Sequence, residues 1–295
     1  MRSCVAALLW LTLAAPAFGQ DPLTVTAALD EAIASNPELL ALRREAPADR
    51  LAALLRASAV LAAVRQAHAD LAIARDSAVL YEGQAPMMKE MAEAATFRSS
   101  GGSEMGRHDP SAMVMDIARL ALGRSTAREQ VKVAEVRLNA MLGRRLDAPV
   151  GPLATADAAA APTGAVESAL ARDPRLSGAS GAGGAGGADR ETVTTAVRRR
   201  VLEALARVEG ARERAMIMTT TVLPQVELGF EHARAAYTAN QGGFLAMLDA
   251  HHRQVEARIE SATIDALYRR ALVELDIAMG ETPERLALAA GPGGK

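Results

Sequence analysis

Apolar residues recur at three- and four-residue steps along much of this chain. One clear stripe is formed by Val60, Val64, Ala67, Leu71, Ala74 and Ala78. This spacing places the side chains on a single face of an α-helix. The Gly101-Gly102 pair predicts a turn after this helix, and a second long helix is expected from about Pro110 to Leu142, where Gly143 forms its C-cap.

The second half of the chain repeats this pattern. It predicts one long helix from Val197 to about Ala239 and another from Phe244 to Met279, closed by Gly280. Pro86 and Pro224 fall inside the first helix of each half. Because proline lacks the backbone N–H and clashes with the preceding turn, we expect a kink at both positions.

The two halves are also similar in sequence. Residues 28–39, ALDEAIASNPEL, return as residues 165–176, AVESALARDPRL, and residues 137–143, RLNAMLG, return at the same offset as residues 274–280, ELDIAMG. Such self-similarity predicts a tandem duplication. In each copy a short helix precedes an Asn36-Pro37 or Asp173-Pro174 step, where the side chain can cap a helix that starts with proline.

The remaining segments define the domain organisation. Residues 1–20 have a charged start, a short apolar centre and a small-residue exit, which predicts a secretory signal peptide, and the single cysteine, Cys4, lies within it. We expect a first helical-hairpin repeat over 21–146 and a linker over 147–163. A second repeat is expected over 164–282 with a flexible Gly/Ala-rich insert at 177–188, followed by a disordered tail over 283–295.

Composition narrows the fold class. Hydrophobic residues make up 50% of the chain but aromatic residues only 3%, so the apolar content is mainly alanine, leucine and valine, which favour helices over all-β architecture. The formal net charge of -2 argues against a nucleic-acid partner. No catalytic or nucleotide-binding motif is found, so neither enzymatic activity nor a cofactor is expected. The prediction is an all-α fold of two tandem, long antiparallel helical hairpins.

Methionine and histidine offer the one candidate for metal chemistry. Met247 and His251 are one helical turn apart, so both could face a single Cu(I) ion. The alternative is that Met247 simply fills the core, as methionine commonly does on amphipathic helices.

Several motifs together resemble the TolC-type outer-membrane efflux proteins, in particular the branch that works with heavy-metal pumps. The opening from Leu23 to Leu39 reads Leu-Thr-x-x-x-Ala-Leu-x-x-Ala-x-x-x-Asn-Pro-x-Leu, and the turn from Tyr237 to Gly242 reads Tyr-x-x-x-x-Gly. Residues 247–250, Met-Leu-Asp-Ala, and the helix end from Leu138 to Gly143 are also similar to this family. The resemblance extends over nearly all of the chain after residue 20.

The resemblance implies a homotrimer whose helices form a tunnel in the periplasm of a Gram-negative bacterium. It also implies a periplasmic adaptor and an inner-membrane pump as partners, with acidic residues narrowing the tunnel entrance. By residue-level comparison, Asp249 and Asp109 are the candidates for the acidic entrance, and Ala246 stands where the family has a second acid. The candidate adaptor-contacting tips are Gly101, Gly102, Asn240, Gln241 and Gly242. Both aspartates also follow turns, where a carboxylate can simply stabilise a helix N-terminus.

One departure from the family is large. Its members insert a strand hairpin in each repeat, whereas residues 44–50 and the Gly/Ala tract here cannot supply such strands, so no substantial β-barrel is expected in this chain. The leading hypothesis is an exported tunnel component of a tripartite efflux system for metal ions or small toxic compounds. Two alternatives are a soluble, non-conducting periplasmic scaffold that binds the adaptor and a periplasmic copper-binding protein.

Overall fold

The computed structural model describes residues 21–45, 50–99, 111–154, 162–176 and 187–291. The helices are α1 (Val25–Ser35), α2 (Pro37–Glu45), α3 (Arg50–Ser99), α4 (Ser111–Leu142), α5 (Ala165–Arg172), α6 (Gly187–Ile217), α7 (Leu223–Thr238), α8 (Phe244–Met279) and α9 (Pro283–Ala290). Within these ranges the only strand-like pairing is an isolated parallel bridge between Leu23 and Leu153. The all-α prediction is confirmed. Residues 1–20 lie outside the described ranges.

The α1–α2 joint shows why the Asn-Pro step recurs. The Asn36 side-chain oxygen accepts hydrogen bonds from the backbone N–H groups of Glu38 and Leu39 at 2.9 and 3.1 Å, and Pro37 occupies the first helical position. The Asn36 amide nitrogen donates to the Met141 carbonyl at 2.8 Å. The cap therefore also fastens the joint to the end of α4.

The α3–α4 hairpin forms the core of the first repeat. Val64 and Leu71 of the predicted stripe are fully buried, and they belong to one cluster with Leu29 of α1 and Leu138 of α4. α4 ends where the sequence predicts, and Gly143 follows it with a φ of +68°, the left-handed conformation that glycine adopts without strain.

The second repeat also pairs an ascending with a descending helix, but residues 174–176 form a turn where the sequence predicts a helix starting at Pro174. Its ascending helix differs as well. A π-helical segment, Met218–Val222, joins α6 to α7 immediately before Pro224. Proline offers no N–H and would clash with the carbonyl of Thr220 four residues earlier, and the wider π turn relieves this conflict. Pro86, by contrast, lies inside α3, which continues to Ser99. Gly187 and Ala188, assigned from sequence to the insert, belong to α6, and residues 177–186 lie outside the described ranges.

The expectation of a disordered tail over residues 283–295 is wrong for 283–290, which form α9. The Thr282 hydroxyl caps this helix by accepting from the Arg285 N–H at 3.4 Å. Leu286, Ala289 and Ala290 are buried in the core of the first repeat. An eight-residue helix is unstable alone, so its stability comes from this packing, which local sequence does not reveal. Residues 292–295 are outside the described part of the chain.

Charged pairs join the two repeats along α3 and α8. Arg65 forms ion pairs with Asp276 and, at 2.6 Å, with Glu281, whose side chain is only 6% exposed. Farther along the same helices, Arg270 pairs with Asp70 at 3.4 Å. No helix in the described ranges is both long and apolar enough to cross a membrane.

Candidate functional site at the turn between α7 and α8

The turn between α7 and α8 carries three of the five predicted tip residues. Asn240 has a φ of +56°, its N–H donates to the Tyr237 carbonyl at 3.1 Å, and the Gln241 N–H donates to the Ala236 carbonyl at 2.9 Å. These two bonds form a Schellman motif, which satisfies the last carbonyls of α7. Asparagine tolerates the left-handed conformation better than most residues, so the sequence builds a sharp, closed helix end here.

The residues on either side fix how α8 leaves this turn. A Cβ on Gly242 would lie 3.1 Å from the Ala236 Cβ, which leaves little space for any larger residue. Phe244, the first residue of α8, is buried, and its ring centroid lies 5.8 Å from that of Tyr237 at an angle of 58°. The Tyr-x-x-x-x-Gly motif therefore combines an aromatic contact with a crowded turn. Asn240 and Gln241 remain exposed at its end.

Asp249 lies on the exposed face of α8, in its second turn. Its carboxylate Oδ2 is 2.6 Å from Arg253 Nη2, one helical turn ahead, and the Asp249 side chain is 60% exposed. A carboxylate stabilises a helix N-terminus mainly from within the first turn. The first turn of α8 contains no acidic residue, and Asp249 in the second turn lies too far from the N-terminus for this effect. The sequence contained the signal for this pair, because Asp and Arg four residues apart share one helix face.

Met247 and His251 occupy a different face of α8. Met247 is half-buried, whereas His251 is only 1% exposed and its ring centroid lies 5.2 Å from that of Phe230 on α7. Burial lowers the pKa of His251, and Gln254 opposes this fall without reaching hydrogen-bond geometry. The described residues contain no group of three or more His, Cys, Asp or Glu side chains suited to a metal ion. A two-ligand Cu(I) site at Met247 and His251 stays a prediction.

The other predicted positions, Gly101, Gly102 and Asp109, lie outside the described residues. The structure therefore brings together Asn240, Gln241 and Gly242 in one turn. It puts Asp249 one and a half turns into α8.

Comparison with solved structures identifies the fold. The chain superposes on the channel CusC with a TM-score of 0.66 at 12% identity, over 87% of this chain and 92% of that chain. For the outer membrane protein VceC of Vibrio cholerae, the TM-score is 0.63 at 11% identity, over 88% and 75% of the two chains. For the open state of the outer membrane channel MtrE of Neisseria gonorrhoeae, it is 0.61 at 14% identity, over 85% and 71%.

Sequence comparison alone does not detect this similarity. No family model matches the sequence, and no curated protein matches it either. The similarity is therefore one of fold, and it lies in the helical hairpins, their order and their turns. The chain has the fold of the TolC-like outer-membrane efflux channels.

Proposed function

We propose that this protein is a helical tunnel component of an efflux system. In this role, copies of the chain associate as trimers, their long hairpins line a passage, and the chain performs no chemistry on what passes. The observation that carries the proposal is the match to CusC, which extends over 92% of that chain. The ion pairs of Arg65 with Asp276 and of Arg270 with Asp70 support it, because they hold α3 of the first hairpin beside α8 of the second as parts of one wall.

The Asn240 turn is the proposed docking point for a periplasmic adaptor, which would connect the passage to an inner-membrane pump. Two features support this assignment. The Schellman motif holds the turn in a fixed shape, and the side chains of Asn240 and Gln241 are exposed there. A rigid end with exposed amides can bind a partner with little loss of conformational entropy.

Site-specific crosslinking tests the docking point. Cys4 is the chain's single cysteine, so a Gln241→Cys change in a Cys4→Ser background provides one thiol at the turn. Cells that also make the genetically neighbouring adaptor are treated with a photoreactive maleimide. We expect a covalent product that contains this adaptor.

The matched control is Ala206→Cys, an exposed position in the middle of α6, which should give no such product. Equal crosslinking from both positions, or none from either in a strain where the adaptor is present, contradicts the proposal. Light scattering of the purified protein measures the oligomeric state. A monomer that fractionates with soluble periplasm would instead favour the non-conducting scaffold.

Metal ions are the proposed cargo class, with Asp249 at the entrance. The exposed carboxylate of Asp249 attracts cations, although its pairing with Arg253 weakens this effect. Cu(I) uptake by the purified protein tests the separate proposal for Met247 and His251. A Met247→Leu, His251→Leu double variant should bind Cu(I) more weakly, and an unchanged affinity would remove this site.

A further inference from the structure

The two long hairpins meet through α3 and α8, which leaves α4 and α6 at the outer edges of the wall. α3 packs against α4 and α8, and α8 packs in turn against α6 and α7. The long helices therefore stand in the order α4, α3, α8, α6, with α7 continuing the path of α6. Such a wall has two free edges, one formed by α4 and the other by α6.

The free edge of α4 is apolar. Buried Ala127 and Leu138 mark the face of α4 that packs against the rest of the chain. Successive residues turn by about 100° around a helix, so Val136, nine residues after Ala127, points the opposite way. Large apolar side chains that are 43–69% exposed recur on this opposite face: Met115, Leu122, Val133 and Val136. A contiguous apolar patch of this kind marks an interaction surface.

The free edge of α6 combines apolar residues with an acidic one. Val201 and Ala204 belong to its buried stripe, and Glu213, nine residues after Ala204, points the opposite way. Leu202 and Ile217 lie on the same side as Glu213 and are 57% and 48% exposed. This edge can therefore receive both an apolar and a basic side chain.

Ion pairs across the wall show which parts of the two edges lie at the same height. Glu135 of α4 pairs with Arg75 of α3 at 2.7 Å, and the neighbouring Asp76 pairs with Arg269 of α8. The part of α4 around Glu135 is thus level with the part of α8 around Arg269.

The same comparison extends to α6. Arg207 of α6 pairs with Glu274 of α8 at 3.4 Å, and α6 runs antiparallel to α8. Moving from Glu274 back to Arg269 on α8 therefore corresponds to moving the same number of residues forward from Arg207 on α6. By this alignment, Lys132 on the α4 edge and Glu213 on the α6 edge, both exposed, lie at nearly the same height.

We propose that the free edge of α4 binds the free edge of α6 of a second copy of this chain, with Val133 packed against Ile217 and Lys132 paired with Glu213. Two different edges that bind each other associate head to tail, and closed cyclic symmetry keeps all copies at one height. The matched heights within one chain therefore bring the lysine of one copy to the glutamate of the next. This inference rests on the proposed tunnel and names the two surfaces through which its copies associate.

Single thiols test which edges meet. In the Cys4→Ser background, a chain with Lys132→Cys is coexpressed with a larger, tagged chain with Glu213→Cys. We expect a short bismaleimide to join the two chains into a mixed dimer and to give no dimer from either chain alone. The matched control replaces Glu213→Cys by Glu260→Cys, at an exposed position of α8, and should give no mixed dimer.

Sedimentation of the purified protein measures what each contact contributes. Val133→Asp should weaken association about tenfold or more, whereas Val79→Asp, at an exposed valine of α3, should leave it unchanged. Lys132→Glu should weaken association about fivefold, and adding Glu213→Lys in the same chain should restore it. All four positions are exposed in the single chain, so circular dichroism should show folded variants.

Two results would overturn this interface and leave the tunnel itself standing. One is a protein that associates without crosslinking between Lys132→Cys and Glu213→Cys, and the other is equal association of Val133→Asp and Val79→Asp. A protein that stays monomeric at every concentration would overturn both the interface and the tunnel.

Discussion

Replacing Gly143 by alanine should destabilise the protein far more than the same change at Gly164, the N-cap residue of α5. Both have a left-handed backbone, with φ values of +68° and +78°, where alanine costs about 1 kcal/mol. At Gly143 an added Cβ would also lie 2.7 Å from the Ser35 carbonyl carbon and closer still to its oxygen. At Gly164 the nearest atom is Oε2 of Glu167, at an ordinary 3.7 Å.

The clash at Gly143 is with backbone, so α1 must shift or the helix end must move away. Overpacking of this kind costs about 1–3 kcal/mol, which brings the expected loss for Gly143→Ala to about 2–4 kcal/mol, against about 1 kcal/mol for Gly164→Ala. Gly229, inside α7 with open space around it, is the matched control: alanine there should raise stability by about 0.5–1 kcal/mol.

Urea unfolding followed by far-ultraviolet circular dichroism measures all three variants. The comparison is meaningful where the dependence of the free energy of unfolding on urea is unchanged. Equal losses at Gly143 and Gly164 would refute the close packing of the α4 end on the α1–α2 joint. A loss at Gly229 would show that the open space around α7 is occupied.

Three further predictions concern charge. Arg65→Met should cost about 1–3 kcal/mol, because the buried Glu281 carboxylate keeps only Arg285, 3.7 Å away, as a partner. Asp276→Asn, at a side chain 43% exposed, should cost under about 1 kcal/mol. Urea unfolding measures both variants. Burial lowers the folded-state pKa of His251 from 6.5. Below about pH 6.5 the unfolded chain therefore binds a proton that the folded chain does not, and the free energy of unfolding should fall as the pH falls. Urea unfolding at neutral and at mildly acidic pH measures this loss, which should be smaller in His251→Phe. Asp249→Asn should change the free energy of unfolding by under about 0.5 kcal/mol, since the carboxylate is exposed. The same variant should lower the resistance of cells to toxic metal ions. Unchanged resistance would argue against an acidic tunnel entrance.

Local signals in the sequence predicted most of the helical framework. The stripe around Val64 is buried, the side chain of Asn36 caps α2, and Gly143 ends α4. Each of these features depends on neighbours within a few residues, so periodicity and capping chemistry are sufficient to predict them. The turn at Asn240 is predicted in the same way, whereas its Schellman hydrogen bonds are a finding of the structure.

Features that depend on distant parts of the chain were not predictable. α9 is stable only against the first repeat, and the double pairing of Arg65 joins residues on separate repeats. The burial of His251 likewise requires Phe230 of α7 to pack against its ring. From sequence, His251 could be placed one turn from Met247, but its burial depends on what packs around it.

The docking of α9 ties the last described helix to the first repeat. Arg285 of α9 lies 3.5 Å from Asp30 of α1, and Arg50 at the start of α3 donates to the Gly291 carbonyl at 2.5 Å. During synthesis, the residues of α9 leave the ribosome after both hairpins. The core of the first repeat is therefore completed only after the second repeat has been made, so the two repeats do not finish folding in chain order.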